Sequence, residues 1–196
     1  MNRKFTLGKI ILSASIAIFT LNSCKNESKP EDPKEVAEEL NEAKFKDAES
    51  NEEDSQYLVN AAETDMKEIE IGKLAQEKGA DPEVKAFGKM LIEDHTKSFG
   101  QVKTLASRKN ISLPASLTEK GKDGYSKLNK ESGLEFDKKF AEMMVEGHEK
   151  MIERMNKAAE KGNDEEIRVW ASNKISTLTT HLDHAKKLKE KIDAKK

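Results

Sequence analysis

Four stretches of close to thirty residues, each opened by a capping residue and closed by a helix stop, leave this chain little room for any fold but long packed helices. Ser50 with Glu53, or Ser55 nearby, can cap a first helix that runs to Lys78, with Gly79 as a left-handed C-cap. Asp81 and Pro82 open a second, which ends near Asn110 before Pro114. Ser132 and Glu135 form a capping box for a third, which stops at Gly162. Asn163 or Asp164, followed by Glu165 and Glu166 in a favourable first turn, begins a fourth that reaches about Ile192. With only 5% aromatic residues, a sandwich or barrel has too few strand formers, so the expected fold class is all-α.

The four helices make two hairpins joined by residues 111–131, which contain Pro114, Gly121 and Gly124. Helix pairs need only ~2 to 8 residues to turn round, so this length predicts a crossover along the bundle, the arrangement of a ferritin-like four-helix bundle. An up-down-up-down bundle with one long loop is the alternative.

Ahead of the helices the chain carries Arg3, Lys4 and Lys9, an apolar run from Ile10 to Leu21, and then Leu21-Asn22-Ser23-Cys24. This is the order of an export signal ending in a lipobox, with the single cysteine of the chain as the residue that takes lipid. Residues 25–56 hold twelve acidic and five basic side chains and few large apolar ones. The expected organisation is therefore a lipoprotein signal peptide over 1–23, an acidic flexible tether over 24–56, and the bundle over 57–196. Val36, Leu40 and Ala43 could form a short helix in the tether, with too little apolar surface to hold it on a core. The mature protein would be tethered to a membrane through lipid on Cys24 without spanning it. The expected place is the cell envelope.

Steps of four and three residues along each helix give the faces that must pack. The first face reads Tyr57, Ala61, Thr64, Glu68, Ile71, Ala75; the second includes Val84, Gly88, Leu91, His95 and Val102. The third reads Asp137, Ala141, Met144, His148, Met151, Met155, and the fourth Ile167, Ala171, Lys174, Leu178, His181, Ala185 and Leu188. Each carries one ionisable group near its middle: Glu68, His95, His148 and His181. At ~1.5 Å per residue these lie within about two turns of one height, with His181 the least well matched. Asp65, one turn before Glu68, is a possible auxiliary. His184 falls at the rim of its helix face and reads as surface, and Asp137 is too far along its helix to join the others.

Buried carboxylates and imidazoles need partners, and two arrangements supply them. One is a single divalent transition metal held by Glu68, His95, His148 and His181; the other is a polar layer that fixes helix register without metal. Met144, Met151 and Met155 around His148 would also suit Cu(I), although Met at helical spacing ordinarily fills a core. With 35 basic against 37 acidic residues there is no footprint for nucleic acid. Phosphate loops, nucleophile elbows and Cys-His pairs are missing from the sequence, so no catalytic motif identifies an enzyme.

Several short motifs taken together carry a family resemblance: Glu68-Ile69-Glu70-Ile71-Gly72-Lys73-Leu74-Ala75, Asp94-His95-Thr96, Leu113-Pro114, Gly133 with Phe136-Asp137, His148, and His181-Leu182 with Ala185. From Tyr57 to Leu188 the chain resembles a ferritin-like bacterial family of unknown function found in exported and outer-membrane proteins. That resemblance implies the ferritin-like fold and export, and no reaction; together with Lys25-Asn26, which lacks a retention Asp, it makes the outer membrane the expected place. His148 follows Gly147 where the family usually has an acidic residue, and Ser176 stands where it usually has Pro. Di-iron ferritins need Glu three residues before the ligating His; Ile92 and Leu178 occupy those places, which speaks against iron storage or ferroxidase chemistry. The expected function is a lipid-anchored envelope protein with one metal site; the alternative is a structural or protein-interaction module with a polar core.

Overall fold

Residues 31–195 are described in a computed structural model, and they fold as six helices: α1 (Pro33–Phe45), α2 (Glu49–Lys78), α3 (Pro82–Arg108), α4 (Glu119–Asn129), α5 (Gly133–Lys161) and α6 (Glu165–Asp193). Among the described residues there is no strand, and no helix is long and apolar enough to cross a membrane. The expected signal peptide and Cys24 lie outside the described residues.

The four long helices match the expected segments to within a few residues, but several ends are held differently. Gly79 and Gly162 have φ of −53° and −56°, so neither is a left-handed cap. At both places a Cβ would come within 2.7 Å of the carbonyl oxygen four residues back, and steric room rather than backbone freedom demands glycine. Ser132 makes no side-chain cap bond, and α2 begins after Ala48 without one. Asp81 and Asp164 do cap α3 and α6, accepting from Glu83 N at 2.7 Å and Glu166 N at 2.9 Å. The Lys195 ammonium, with Glu83 N and Lys191, holds the Asp81 carboxyl well below its ordinary range, at about 2. Lys191, in the last turn of α6, and Lys195 just beyond it thus close on the start of α3.

Buried aspartates give the direction in which the hairpins lie. Asp137, near the start of α5, accepts from Ala80 N at 2.9 Å and Asp81 N at 2.8 Å in the α2–α3 turn. Asp54, near the start of α2, accepts from Asn163 N at 2.9 Å and Asp164 N at 2.6 Å in the α5–α6 turn. Each hairpin's turn therefore meets the other hairpin's first helix, at opposite ends. Both pairs recur at one constant offset along the chain, so the two hairpins repeat one plan. The α3–α5 connection has to travel the length of α2, and it does so in steps: Ser112 beside Asn41, Thr118 on Glu63, and Asn129 against Lys78. Its second half forms α4, capped by the Thr118 hydroxyl accepting from Gly121 N at 3.1 Å. Within the first hairpin, α2 and α3 touch backbone to backbone at Gly72 and Gly88, where a Cβ on either would lie 2.7 Å from the other's carbonyl oxygen.

The segment expected to be a flexible tether is not free over its second half. α1 packs on the bundle with Ala37 and Asn41 buried, and residues 49–56 already belong to α2. Apolar area is scarce here, as expected; polar bonds take its place. Asn41 donates to Ser112 O at 2.9 Å and accepts from Ser112 N at 2.7 Å, Asp32 accepts from Glu119 N at 2.7 Å, and Lys34 bonds Asn60 at 2.7 Å. Phe45 adds an apolar contact to the cluster around Leu58 and Val102. Asn41→Ala removes both bonds to Ser112 and is expected to cost ~2 kcal/mol. Hydrogen exchange checks this: α1 amides should lose protection while those of α3 keep theirs, and unchanged α1 protection would show that Asn41 does not hold the helix.

The core divides along the bundle. Toward the α2–α3 turn lies a cluster with Ile71, Phe87, Leu91, Phe136, Phe140 and Leu188; toward the other end lie clusters with Leu58, Val102 and Ile167, and with Met155, Ala171 and Leu178. A polar layer separates them.

Candidate metal centre

That layer holds the four ladder groups, and Glu68, His95, His148 and His181 are all at most 4% exposed. Three of them converge. One nitrogen from each of His95, His148 and His181 lies within 4.8 Å of the others, with ring centroids 5.2 to 5.9 Å apart. Helix α3 supplies His95, α5 supplies His148 and α6 supplies His181, each because it occupies an inward position one step along the apolar face. Phe87 lies beside the cluster, edge-on to His181 at 6.1 Å and tilted toward His148 at 6.4 Å.

The outer nitrogen of each ring meets an acceptor. His95 Nδ1 is 2.8 Å from Asp65 Oδ1, His148 Nδ1 is 2.8 Å from Met144 O, and His181 Nε2 is 2.8 Å from Asp94 Oδ2. A backbone carbonyl and ionised carboxylates can only accept, so each of these nitrogens carries the proton and each ring presents a bare lone pair on its other nitrogen. Those nitrogens are His95 Nε2, His148 Nε2 and His181 Nδ1. His95 Nε2 has no hydrogen-bond partner, and His148 Nε2 faces His181 Nδ1 at 3.2 Å. Two lone pairs at that distance repel unless a cation stands between them. Burial pushes the His148 ring down to about 4 and lowers His181 as well, so neither ring readily supplies that positive charge by protonation at neutral pH.

A metal ion meets the requirement. Two nitrogens bound to tetrahedral zinc at ~2.0 Å stand roughly 3.3 Å apart, close to the spacing of His148 and His181. Outer nitrogens fixed by carboxylates and a carbonyl are the usual support for ligating imidazoles. An all-imidazole set with a carboxylate nearby suits Zn, Mn, Fe, Ni or Cu(II) rather than a thiolate-seeking ion.

Glu68 is near the cluster without being in the convergent group. Both its oxygens are buried and accept no hydrogen bond; Lys67 approaches Oε1 at 3.2 Å as an ion pair. Burial acts to raise this carboxyl, and Lys67 with the His148 and His95 rings outweighs it, holding Glu68 below its ordinary value. It is an ionised group in a dry site, facing two of the three rings. Asp65 takes a different place from the auxiliary ligand expected: its Oδ1 is engaged by His95, which makes it a support for that ring.

Asp94 is the residue that stepping along the helix face overlooked. It lies one residue from His95, roughly 100° round the helix, and so reaches α6 rather than the core. His184, read as surface, is half-buried and stacked on Phe87 at 4.5 Å with the rings 5° from parallel. Met144, Met151 and Met155 belong to apolar clusters, and the carbonyl of Met144, not its sulfur, is what serves His148.

Searches of curated proteins and of solved structures find no match. A protein-family model, described as a domain of unknown function, DUF4142, matches residues 39–188, a stretch that begins inside α1 and takes in the whole histidine cluster. By that match this chain belongs to the DUF4142 family.

Proposed function

We propose that the chain is a lipid-anchored cell-envelope protein whose ferritin-like bundle binds one divalent transition metal through His95, His148 and His181, with Glu68 as the neighbouring anion. The observation that carries the metal reading is the convergence of three buried imidazoles whose outer nitrogens are already bonded to acceptors. Fixed lone pairs aimed at one point form a site prepared for a cation, and they leave no proton for the three rings to share among themselves. Support for the ferritin-like arrangement is the pair of hairpins whose turns lie at opposite ends, linked by a connection along α2. The histidines provide binding; no side chain in the site is arranged as a nucleophile with its base.

Calorimetry of the purified protein with Zn, Mn, Fe(II), Ni and Cu tests the site. One ion should bind at one equivalent and lose that binding in His148→Ala; no stoichiometric binding by any of them retires the proposal in favour of a structural or interaction module. The lipid anchor rests on the lipobox Leu21-Asn22-Ser23-Cys24. Cys24→Ala should shift the protein from the membrane fraction to the soluble one or leave the precursor uncut, with density-gradient separation of the membranes reporting which of them holds the wild type. An unchanged intact mass and fractionation would refute lipidation.

A further inference from the structure

Between α3 and α6 a groove of about 820 Å³ leads to the histidine cluster, and His95, His181 and Asp94 form one end of it. Its outer walls are exposed residues of both helices, among them Lys97, Gln101, Thr104, Val169 and Asn173. Gly100 lies on its wall in the interior of α3, where a Cβ would meet nothing within 4 Å. Glycine is less favourable than alanine in a helix interior, and no packing here requires it. A longer side chain at this position would stand on the groove wall.

Two ammonium groups that face the groove, those of Lys97 and Lys174, have no carboxylate partner among the described residues. Arg108 is taken by Glu166 at 3.0 Å, and Asp94 by His181. Lys174 is half-buried and bonds only the neutral Gln101 Oε1, while neither it nor Lys97 has an ion pair among the described residues. Lys174 is close enough to Asp65 and Asp94 to feel both carboxylates, which puts its ammonium at the histidine end. Trp170, on the wall, has a buried indole N–H with no partner. Leu105, Val169 and Leu178 add apolar surface beside it. Near the cluster three carboxylates (Asp65, Glu68, Asp94) face two ammoniums (Lys67, Lys174). A divalent ion on the histidines therefore leaves one unit of positive charge, which a single carboxylate neutralises.

We propose that the groove binds a small organic carboxylate, its carboxyl group directed to the metal on His95, His148 and His181 and to Lys174, its apolar body lying on Trp170, Leu105 and Val169. This rests on the metal reading and deepens it: the three protein nitrogens leave an open coordination position that a carboxylate entering from the α3–α6 side fills. The ligand chemistry follows from the donor present, the Lys174 ammonium with no carboxylate partner among the described residues, next to apolar side chains on the groove wall.

Trp170 is the one tryptophan of the chain, so its fluorescence reports the groove, while bound Co(II) reports the metal by its visible absorption. The full chain loaded with Co(II) is titrated with 3-phenylpropionate and, separately, with its neutral amide. The acid should change both signals along one saturable curve, and the amide should bind at least tenfold more weakly. Gly100→Leu, which narrows the groove, and Lys174→Met, which removes the ammonium, should each weaken the acid at least tenfold with Co(II) stoichiometry and the circular dichroism spectrum unchanged. Normal Co(II) binding with no saturable response to the acid would overturn the groove proposal and leave the metal site standing, as would equal affinity in both variants. Failure to bind Co(II) or any other divalent ion would overturn both.

Discussion

Saturating the purified protein with the ion it prefers is expected to raise its melting temperature by roughly 8 to 16 °C. Ligand at ~1,000 times its Kd stabilises the folded form by about 4 kcal/mol, and a domain of this size shifts by ~2 to 4 °C per kcal/mol. His148→Ala and His181→Ala should abolish the rise. Glu68 offers a second test, because its ionised carboxylate is buried beside two of the rings. Glu68→Leu removes the anion next to the bound ion as well as the Lys67 ion pair, so it should weaken metal and shrink the rise. A polar layer without metal predicts no rise in either protein. Scanning calorimetry of wild type and Glu68→Leu, each with chelator and with metal, separates the cases; no metal-dependent shift in the wild type would sink the metal centre.

The helix frame was legible because caps and stops are local: Asp81-Pro82 and Asp164 act within one turn of themselves, and they cap α3 and α6 as read. The inward positions of His95, His148 and His181 were equally legible, since one face of a helix repeats whatever it packs against. What one-dimensional stepping could not show is which neighbouring helix an off-face residue meets. Asp94 and the carbonyl of Met144 serve the site through partners far along the chain or through backbone that carries no side-chain signal. The short helix at α1 was read, but its docking on the bundle escaped for a related reason. Its attachment is by Asn41, Asp32 and Lys34 rather than by an apolar stripe, and hydropathy does not register a hydrogen bond. Gly79 and Gly162 were both placed correctly, but the left-handed cap read at Gly79 was the wrong explanation, because a glycine needed for closeness and one needed for positive φ look the same in sequence.

Acid should destabilise the metal-free protein well before ordinary carboxylates titrate, and His148 sets the window. Its ring titrates near 6.5 when unfolded and is pushed by burial to about 4 when folded. Above pH 6.5 both states leave it neutral and its burial costs nothing further. Below that, the unfolded chain takes up a proton that the folded one refuses, so stability falls as the pH drops from about 6.5 to about 4, by ~3 kcal/mol from this residue alone. His181, lowered by burial in the same sense, adds to the loss. Glu68, held below its ordinary value, works the same way at the acid end: its contribution is lost as it is protonated. Urea denaturation at pH 7.5, 6.5, 5.5 and 4.5 in the presence of chelator reads the slope. His148→Leu has no proton to take up there, so its stability should fall less steeply over this range, by about one proton per molecule. Metal should oppose the loss, since it binds the neutral rings, and proton competition at His148 should set in near its folded pKa rather than near 6.5. A wild-type slope equal to that of His148→Leu would mean that His148 is already protonated, or open to water, in the folded protein, and the lone-pair argument for the cation would fall with it.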